Sequence, residues 1–356
     1  MKDYILYQNL LKEVESGRVS ASRMGDLTIF KYTQDCHIQG LWNETNRQAR
    51  GIIFRDDGTI VARPFAKFFN LGENTESSPA NLPWHEEVEI YEKVDGSCGI
   101  GYWKEDQWWL ATPGSMESDQ AKYGTALMSA ITYASAKLHI PHNCTPVFEI
   151  VYPENRIVVD YKGEQFLSLL AIFELSGEEW HPKRVDQIAE KCNFHRPRRY
   201  NIDLRGEIPF EENAEGYVAR FASGRRVKVK SPTYLRVHRL LEHMSPKGVI
   251  ELIRGREYGI TLLDLPKTIQ QDFDDIRAHV QMMHDKLRIE AEDIAARVPQ
   301  GDRKTKALWI QANTPNALTG VVFGLIDSKD MNDKLWKIVL EKVKDEKCHT
   351  LKKIDV

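Results

Sequence analysis

The stretch Ile90-Tyr91-Glu92-Lys93-Val94-Asp95-Gly96-Ser97-Cys98-Gly99-Ile100-Gly101-Tyr102-Trp103 sets two strand-like runs on either side of a lysine and an Asp-Gly-Ser turn. At such a junction the glycine lets backbone come close to a phosphate while Lys93 stays fixed beside it, an arrangement suited to covalent catalysis by an amine. Taken alone, a surface lysine followed by an Asp-Gly turn is also ordinary hairpin chemistry. The flanking segments have to choose between these readings.

Downstream, PVFEIVYPENRIV alternates so that Val147, Glu149 and Val151 share a strand face, which puts a carboxylate in an otherwise apolar row. In EGYVAR, Glu215 precedes a glycine and a β-rich run. RRVKVKSPTY follows, with Arg226, Lys228 and Lys230 on one face of the predicted strand and Val227 and Val229 on the other. Between Glu215 and Glu242 there are seven Lys or Arg and no acid, unusual in a chain of nearly balanced charge. Lysines protecting a sheet edge would give the same pattern; the valine backing favours a polyphosphate site. Upstream, ARGIIF and RPFAKFFNLGE add Arg50, Arg63, Lys67, Phe68, Phe69 and Asn70, cations interleaved with aromatics that can hold phosphates and stack a base.

Over the whole chain, 356 residues with 42% hydrophobic content allow a large domain and a smaller one. The formal net charge of -3 gives no global pull towards nucleic acid or membrane, so any polyanion site has to be local. Five cysteines, Cys36, Cys98, Cys144, Cys192 and Cys348, are scattered without a CxxC pair and read as reduced thiols of a cytosolic protein. Neither a leader-like apolar segment nor a membrane-length apolar run is present, so secretion and membrane spanning are not expected. Residues 1 to about 246 carry short alternating or β-branched runs, including RIVVDY, FLSLLAIFEL and RRVKVKS, and read as sheet-rich. After Pro246 the period becomes helical. Ile269, Phe273, Ile276, Val280, Met283, Leu287, Ala291 and Ile294 recur every three or four positions between Pro266 and Pro299, and NDKLWKIVLEKVKDE adds a second amphipathic stretch.

These segments, in this order, resemble the nucleotidyltransferase motifs shared by ATP-dependent ligases and mRNA capping enzymes. KVDGS looks like the nucleophile motif, FEIVYP the third, EGYV the fourth and VKVKS the fifth. ARGIIF, KFFNLGE and FEIVYPENRIV look like segments of the phage-type RNA ligase 1 family, which repairs broken tRNA. The resemblance implies an α+β fold: an ATP-grasp-like nucleotidyltransferase domain with mixed antiparallel sheets over 1–246, then a small all-α C-terminal domain over 247–356. It implies ATP as co-substrate and Mg²⁺, replaceable by Mn²⁺, as cofactor. Lys93 would become a Lys-AMP phosphoramidate, AMP would move to an RNA 5′-phosphate, and a 3′-hydroxyl would displace it. Asp95, Glu149, Glu215, Lys228 and Lys230 are then the other catalytic candidates. Arg50, Lys67, Gly96, Glu92 at the adenine edge and Phe69 against the nucleoside would bind the nucleotide, and Glu149, Glu215 and Asp95 would hold the ribose hydroxyls or a hydrated metal ion.

On the same likeness the partners are RNA ends, above all a tRNA anticodon loop, with single-stranded DNA a weaker substrate. The protein would act as a monomer in the cytoplasm, that of the host if phage-encoded. Cations around Lys93 would favour its neutral, nucleophilic form. Thr112-Pro113-Gly114-Ser115 carries proline where the family has a basic residue, so that contact would be absent or supplied by Lys104 or Lys122. Arg303, Lys304, Lys306 and the terminal lysines could touch a tRNA stem-loop, although charged helices are usually solvated faces. A GTP-dependent capping-type guanylyltransferase and a non-catalytic RNA-binding module remain as alternatives. No OB-fold continuation is apparent, which argues against DNA ligases and capping enzymes.

Overall fold

The computed structural model describes residues 2–243, 246–255 and 267–345. Pro266, Cys348 and the lysines beyond residue 345 lie outside these residues. Two compact units are present, Met1–Tyr234 and Leu235–Val356. In chain order the first contains α1 (Lys2–Glu15), β1 (Val19–Met24), β2 (Leu27–Tyr32), α2 (Gln34–Ile38), β3 (Arg50–Arg55), β4 (Ile60–Ala62), β5 (Val88–Glu92), β6 (Ser97–Lys104) and β7 (Gln107–Ala111). It continues with α3 (Asp119–His139), β8 (Cys144–Val151), β9 (Phe166–Glu174), α4 (Pro182–Cys192), β10 (Arg199–Tyr200), β11 (Gly216–Phe221), β12 (Arg226–Lys230) and the start of α5 (Pro232–His243).

The strands form three four-stranded antiparallel sheets among the described residues, ordered β1-β2-β3-β4, β10-β5-β11-β12 and β7-β6-β8-β9. Alternation accounts for the second sheet. Val227 and Val229 turn inward beside Ile90, Tyr217, Ala219 and Phe221, whereas Arg226, Lys228 and Lys230 stay on the opposite face. Burying each of these apolar side chains contributes about 1.5–3 kcal/mol, so the basic strand is fixed by its valine back. The third sheet packs Phe148, Ile150, Leu167 and Leu169 against Leu127 and Met128 of α3 and Val185 and Ala189 of α4. Its other face carries Cys98 and Glu149, directly paired across β6 and β8.

Gly216 tightens the second sheet beside Lys93. Its φ is +140° and an added Cβ would lie 2.0 Å from the Val229 carbonyl oxygen, so only glycine fits after Glu215. One expected strand is absent. Residues 156–161 of RIVVDY form a loop, because the Val158 and Val159 amides donate to the Asp95 carboxylate rather than to a ladder.

The second unit holds α6 (Pro246–Ile253), α7 (Lys267–Ala296), α8 (Arg303–Asn313), α9 (Asn316–Ile326) and α10 (Asn332–Asp345). Helix α7 buries Phe273, Ile276, Val280, Leu287, Ala291 and Ile294 at the predicted three- and four-residue spacing. The units divide within α5, upstream of the change expected at residue 246, because a helix starts directly after the basic strand. Pro232 needs no amide partner in a first turn, and Ser231 Oγ accepts the Tyr234 amide at 2.9 Å. No described helix is long and apolar enough to cross a membrane.

Candidate active site

Lys93 follows the last residue of β5, and its amide donates to the Gly216 carbonyl at 2.9 Å, extending the ladder by one bond. Its Nζ donates to Glu215 Oε2 at 2.6 Å, and Lys230 Nζ lies 3.1 Å from Glu215 Oε1. Glu215, 2% exposed, therefore bridges two ammonium groups. Gly96 lets this segment press against β8: a Cβ there would stand 2.6 Å from the Ile150 carbonyl oxygen and 3.2 Å from Glu149 Cγ.

Carboxylates, not cations, dominate around the amine. Burial pulls the Lys93 pKa down, but the charges of Glu215 and Glu149, the hydrogen bond donated to Glu215 and the charge of Asp95 outweigh it and raise it. This corrects the expectation that positive neighbours hold Lys93 neutral: it rests protonated in the free protein. Glu149 is pushed up to about 7, first by burial and then by Glu215 and Asp95, with Lys93 opposing.

Asp95 turns away from bond-making. Its Oδ2 accepts the amides of Val158 and Val159, both at 2.9 Å, and its Oδ1 accepts the Tyr234 hydroxyl at 2.8 Å. Tyr161 Oη in turn accepts the Asp95 amide at 2.8 Å. Burial nevertheless raises the Asp95 pKa, with Glu215 adding to it. The committed oxygens make Asp95 a clasp for the 152–165 loop, and they leave it little capacity as a metal ligand.

A second group of charges lies beyond β12. Residues 65–73 run beside that strand, with the Lys228 amide donating to Phe69 O at 3.0 Å and the Leu71 amide to Lys228 O at 2.8 Å. The docking brings the Phe68 ring between two cations, 5.0 Å from the Arg50 guanidinium carbon and 5.2 Å from Lys228 Nζ. Lys67 Nζ is 3.9 Å from Glu73. Lys228 is held well below the ordinary lysine value by burial and by Arg50, Lys93, Lys67 and Lys230, all positive. Lys67 is lowered too, chiefly by burial. Arg50 Nη1 is buried without a hydrogen-bond partner. An unpaired buried guanidinium nitrogen beside a lysine whose pKa is pushed down calls for an anion.

Next to this group is an open cleft lined by Phe68, Tyr91, Glu92, Leu170, Arg196 and Val218 among others. Glu92 stands in its wall and accepts Arg198 Nε at 3.3 Å. Phe69 does not: it is 2% exposed and packs edge-on to Trp42, 5.7 Å away, so the half-buried Phe68 faces the cleft instead. Arg226 shares the face of Lys228 but is neutralised by Glu179, which accepts its guanidinium at 2.9 Å and Arg220 Nε at 3.1 Å. Pro113 closes a tight turn over Gly51. Of the expected substitutes, Lys104 pairs with Glu105 at 3.3 Å and Lys122 is exposed on α3, whereas Lys31 lies beside Gly114. Phe68 was named with Phe69 in KFFNLGE but the nucleoside contact was assigned to Phe69; Tyr234, Tyr161 and Lys31 were not singled out by sequence, and of these Tyr234 sat inside the quoted RRVKVKSPTY segment that could have pointed to it.

A hydrated Mg²⁺ fits the carboxylate end. Three acids crowd there, burial and the neighbouring carboxylates push Glu149 up to about 7, and oxygen is the donor that this ion prefers. An all-protein cage does not fit, since no group of three or more His, Cys, Asp or Glu among the described residues could hold a metal.

Comparison with known proteins agrees with this layout. A family model described as RNA ligase matches residues 48–234, which contain every candidate catalytic residue named above. "Putative RNA ligase" of Thermovibrio ammonificans is 28% identical over 247 residues, covering 66% of this chain and 64% of that protein. "RNA ligase" of Rhodothermus phage RM378 is 23% identical over 305 residues, 66% of this chain and 69% of that one. "RNA ligase 1" of Bacteriophage TS2126 is 31% identical over 220 residues, 57% of this chain and 54% of that one. The chain thus spans between about half and two thirds of the length of these relatives. The solved "Putative ATP-dependent DNA ligase from Aquifex aeolicus" superposes with a TM-score of 0.50 at 12% identity, over 91% of this chain and 99% of that one, a likeness of fold alone. With more than half of its length matched by the family model, the chain belongs to the phage-type RNA ligase family.

Proposed function

We propose that this protein is an ATP-dependent RNA ligase that joins 5′-phosphate and 3′-hydroxyl ends through a Lys93-AMP intermediate. The observation that carries the reading is the pairing of one buried lysine on a glutamate with an uncompensated cation group close by. In the first step the Lys93 ammonium gives one proton to Glu215 Oε2, the free amine attacks the α-phosphorus of ATP, and the nitrogen releases its second proton to solvent. A P–N bond forms, the bond from the α-phosphorus to the bridging oxygen breaks, and pyrophosphate leaves against Arg50, Lys67 and Lys228. Lys230 stays on Glu215 and limits the return of the proton.

An oxygen of the RNA 5′-phosphate then attacks the same phosphorus. The P–N electron pair returns to Lys93, which regains one proton from Glu215 and a second from solvent. In the last step the 3′-hydroxyl attacks the adenylylated end, loses its proton, and AMP departs. Bound Mg²⁺ would offset the carboxylate field that keeps Lys93 protonated and neutralise charge on the transferring phosphoryl group. Glu149 is the better metal ligand, since Glu215 is taken by two ammonium groups and Asp95 by three donors. The cleft walled by Phe68, Leu170 and Val218 takes the adenosine, with Glu92 at its edge.

The substrate is a cleaved tRNA anticodon loop, with single-stranded DNA used more weakly, and the protein works as a monomer in the cytoplasm. Residues 1–246 act as the adenylyltransferase domain and 247–356 as the RNA-specificity domain. Exposed Arg303 and Lys304, at the start of α8 and behind the Asp302 cap, support RNA contact there. Incubation with α-labelled ATP and Mg²⁺ tests the central claim: an acid-labile, alkali-stable label on the protein is expected. A label from GTP instead would make the protein a guanylyltransferase, and none from any nucleotide would end the enzyme reading.

A further inference from the structure

One wall of the polyphosphate end takes no part in the chemistry just described. Helix α2 and the loop after it place His37 5.9 Å from Trp42 and 6.3 Å from Tyr32, ring to ring. Lys67 Nζ points into this cluster, 5.6 Å from the Tyr32 ring, 5.1 Å from Trp42, 5.1 Å from Phe69 and 3.5 Å from His37 Nδ1. The aromatic faces stabilise an ammonium group but offer a phosphate nothing. His37 differs: it is solvent-exposed, and a protonated imidazole presents two N–H donors.

We propose that His37 belongs to the polyphosphate site and meets, beside Lys67, the outer phosphates of a nucleoside triphosphate and the pyrophosphate that leaves. The proposal rests on the ATP reading of the site. The charged groups facing the imidazole are Lys67 and Glu73 of the docked loop and Lys228 of β12; Tyr32 of β2 and Cys36 of α2 are neutral near pH 7. Burial and the two ammonium groups lower the His37 pKa, with Glu73 opposing, so the free protein carries a neutral ring at about pH 7. A bound polyanion cancels those ammonium fields and supplies an acceptor. One proton is then taken from solvent on binding and returned when pyrophosphate departs.

Inorganic tripolyphosphate is the probe, titrated calorimetrically into the full chain at about pH 7 in two buffers of different ionisation enthalpy, which yields the protons taken up per anion. Wild type should take up more protons than His37→Asn, and the variant should bind about tenfold more weakly, the worth of one charge-assisted hydrogen bond. His37→Lys, whose charge is fixed, should bind within about threefold of wild type without the extra uptake. Unchanged melting curves would show that both variants fold, as expected at an exposed position. Equal affinity and proton count in wild type and His37→Asn would overturn the proposal. A wild type that neither binds tripolyphosphate nor takes label from ATP would overturn the ATP reading beneath it instead.

Discussion

The two ends of the candidate site are built with opposite excesses. Around Lys93, burial and two neighbouring carboxylates push Glu149 up to about 7, and the same carboxylates raise the Lys93 pKa. Around Phe68, three cations share one partly distant carboxylate; burial and the other cations push the Lys228 pKa down, and Arg50 leaves a nitrogen unpaired. Neither end is at its electrostatic optimum alone, because each is complementary to something absent from the chain. A metal ion at one end and a polyphosphate at the other would satisfy both, and the two fixed fields would then act on the charge that develops during transfer.

The sharpest break is Lys93→Ala, which should abolish covalent labelling while the fold survives, measured by label retention beside a melting curve. Lys228→Met should cut labelling about a hundredfold, the cost of removing one preorganised donor to a developing anion. It should also stabilise the protein at neutral pH. A lysine whose folded pKa is depressed destabilises the fold below that pKa, and the penalty fades as pH rises to the ordinary lysine range, so the variant should lose this pH dependence in denaturant titrations.

At the other end the sign reverses. The Glu149 carboxyl is raised to about 7, so its ionisation in the folded state costs stability as pH climbs from the ordinary glutamate value through 7. Glu149→Gln should therefore be more stable above pH 7, by on the order of 2 kcal/mol, yet nearly inactive. Labelling by wild type at low Mg²⁺ should fall about tenfold per pH unit below 7, and excess Mg²⁺ should move that limb towards acid because metal competes with the proton. The smallest effect belongs to Tyr234→Phe, which removes the donor to Asp95 Oδ1. A loss of about 1–3 kcal/mol in stability is expected; a variant indistinguishable from wild type in both melting and labelling would mean the clasp contributes nothing.

Much of this site was legible along the chain. KVDGS, the glutamate of FEIV, the glutamate of EGYV and the alternating VKVK all converge, because strand alternation dictates which side chains share a face. The protonation of Lys93 was not legible, since it depends on how three carboxylates far apart in sequence are brought around one amine. RIVVDY has strand composition but no partner strand; the Asp95 carboxylate competes for its amides, and composition cannot show that. Phe68 and Phe69 are adjacent and chemically alike. Which one faces the cleft follows from the docking of residues 65–73 on β12 and from Trp42 lying over Phe69.

The hydrogen bond from the Lys93 amide to Gly216 makes the proposed nucleophile an anchor and not an arm. A swinging cofactor can carry its cargo between stations, whereas a residue stitched into a sheet must have every guest delivered to the same address. Pyrophosphate would have to vacate before an RNA end could enter, so strict alternation of visitors is imposed by the strand itself.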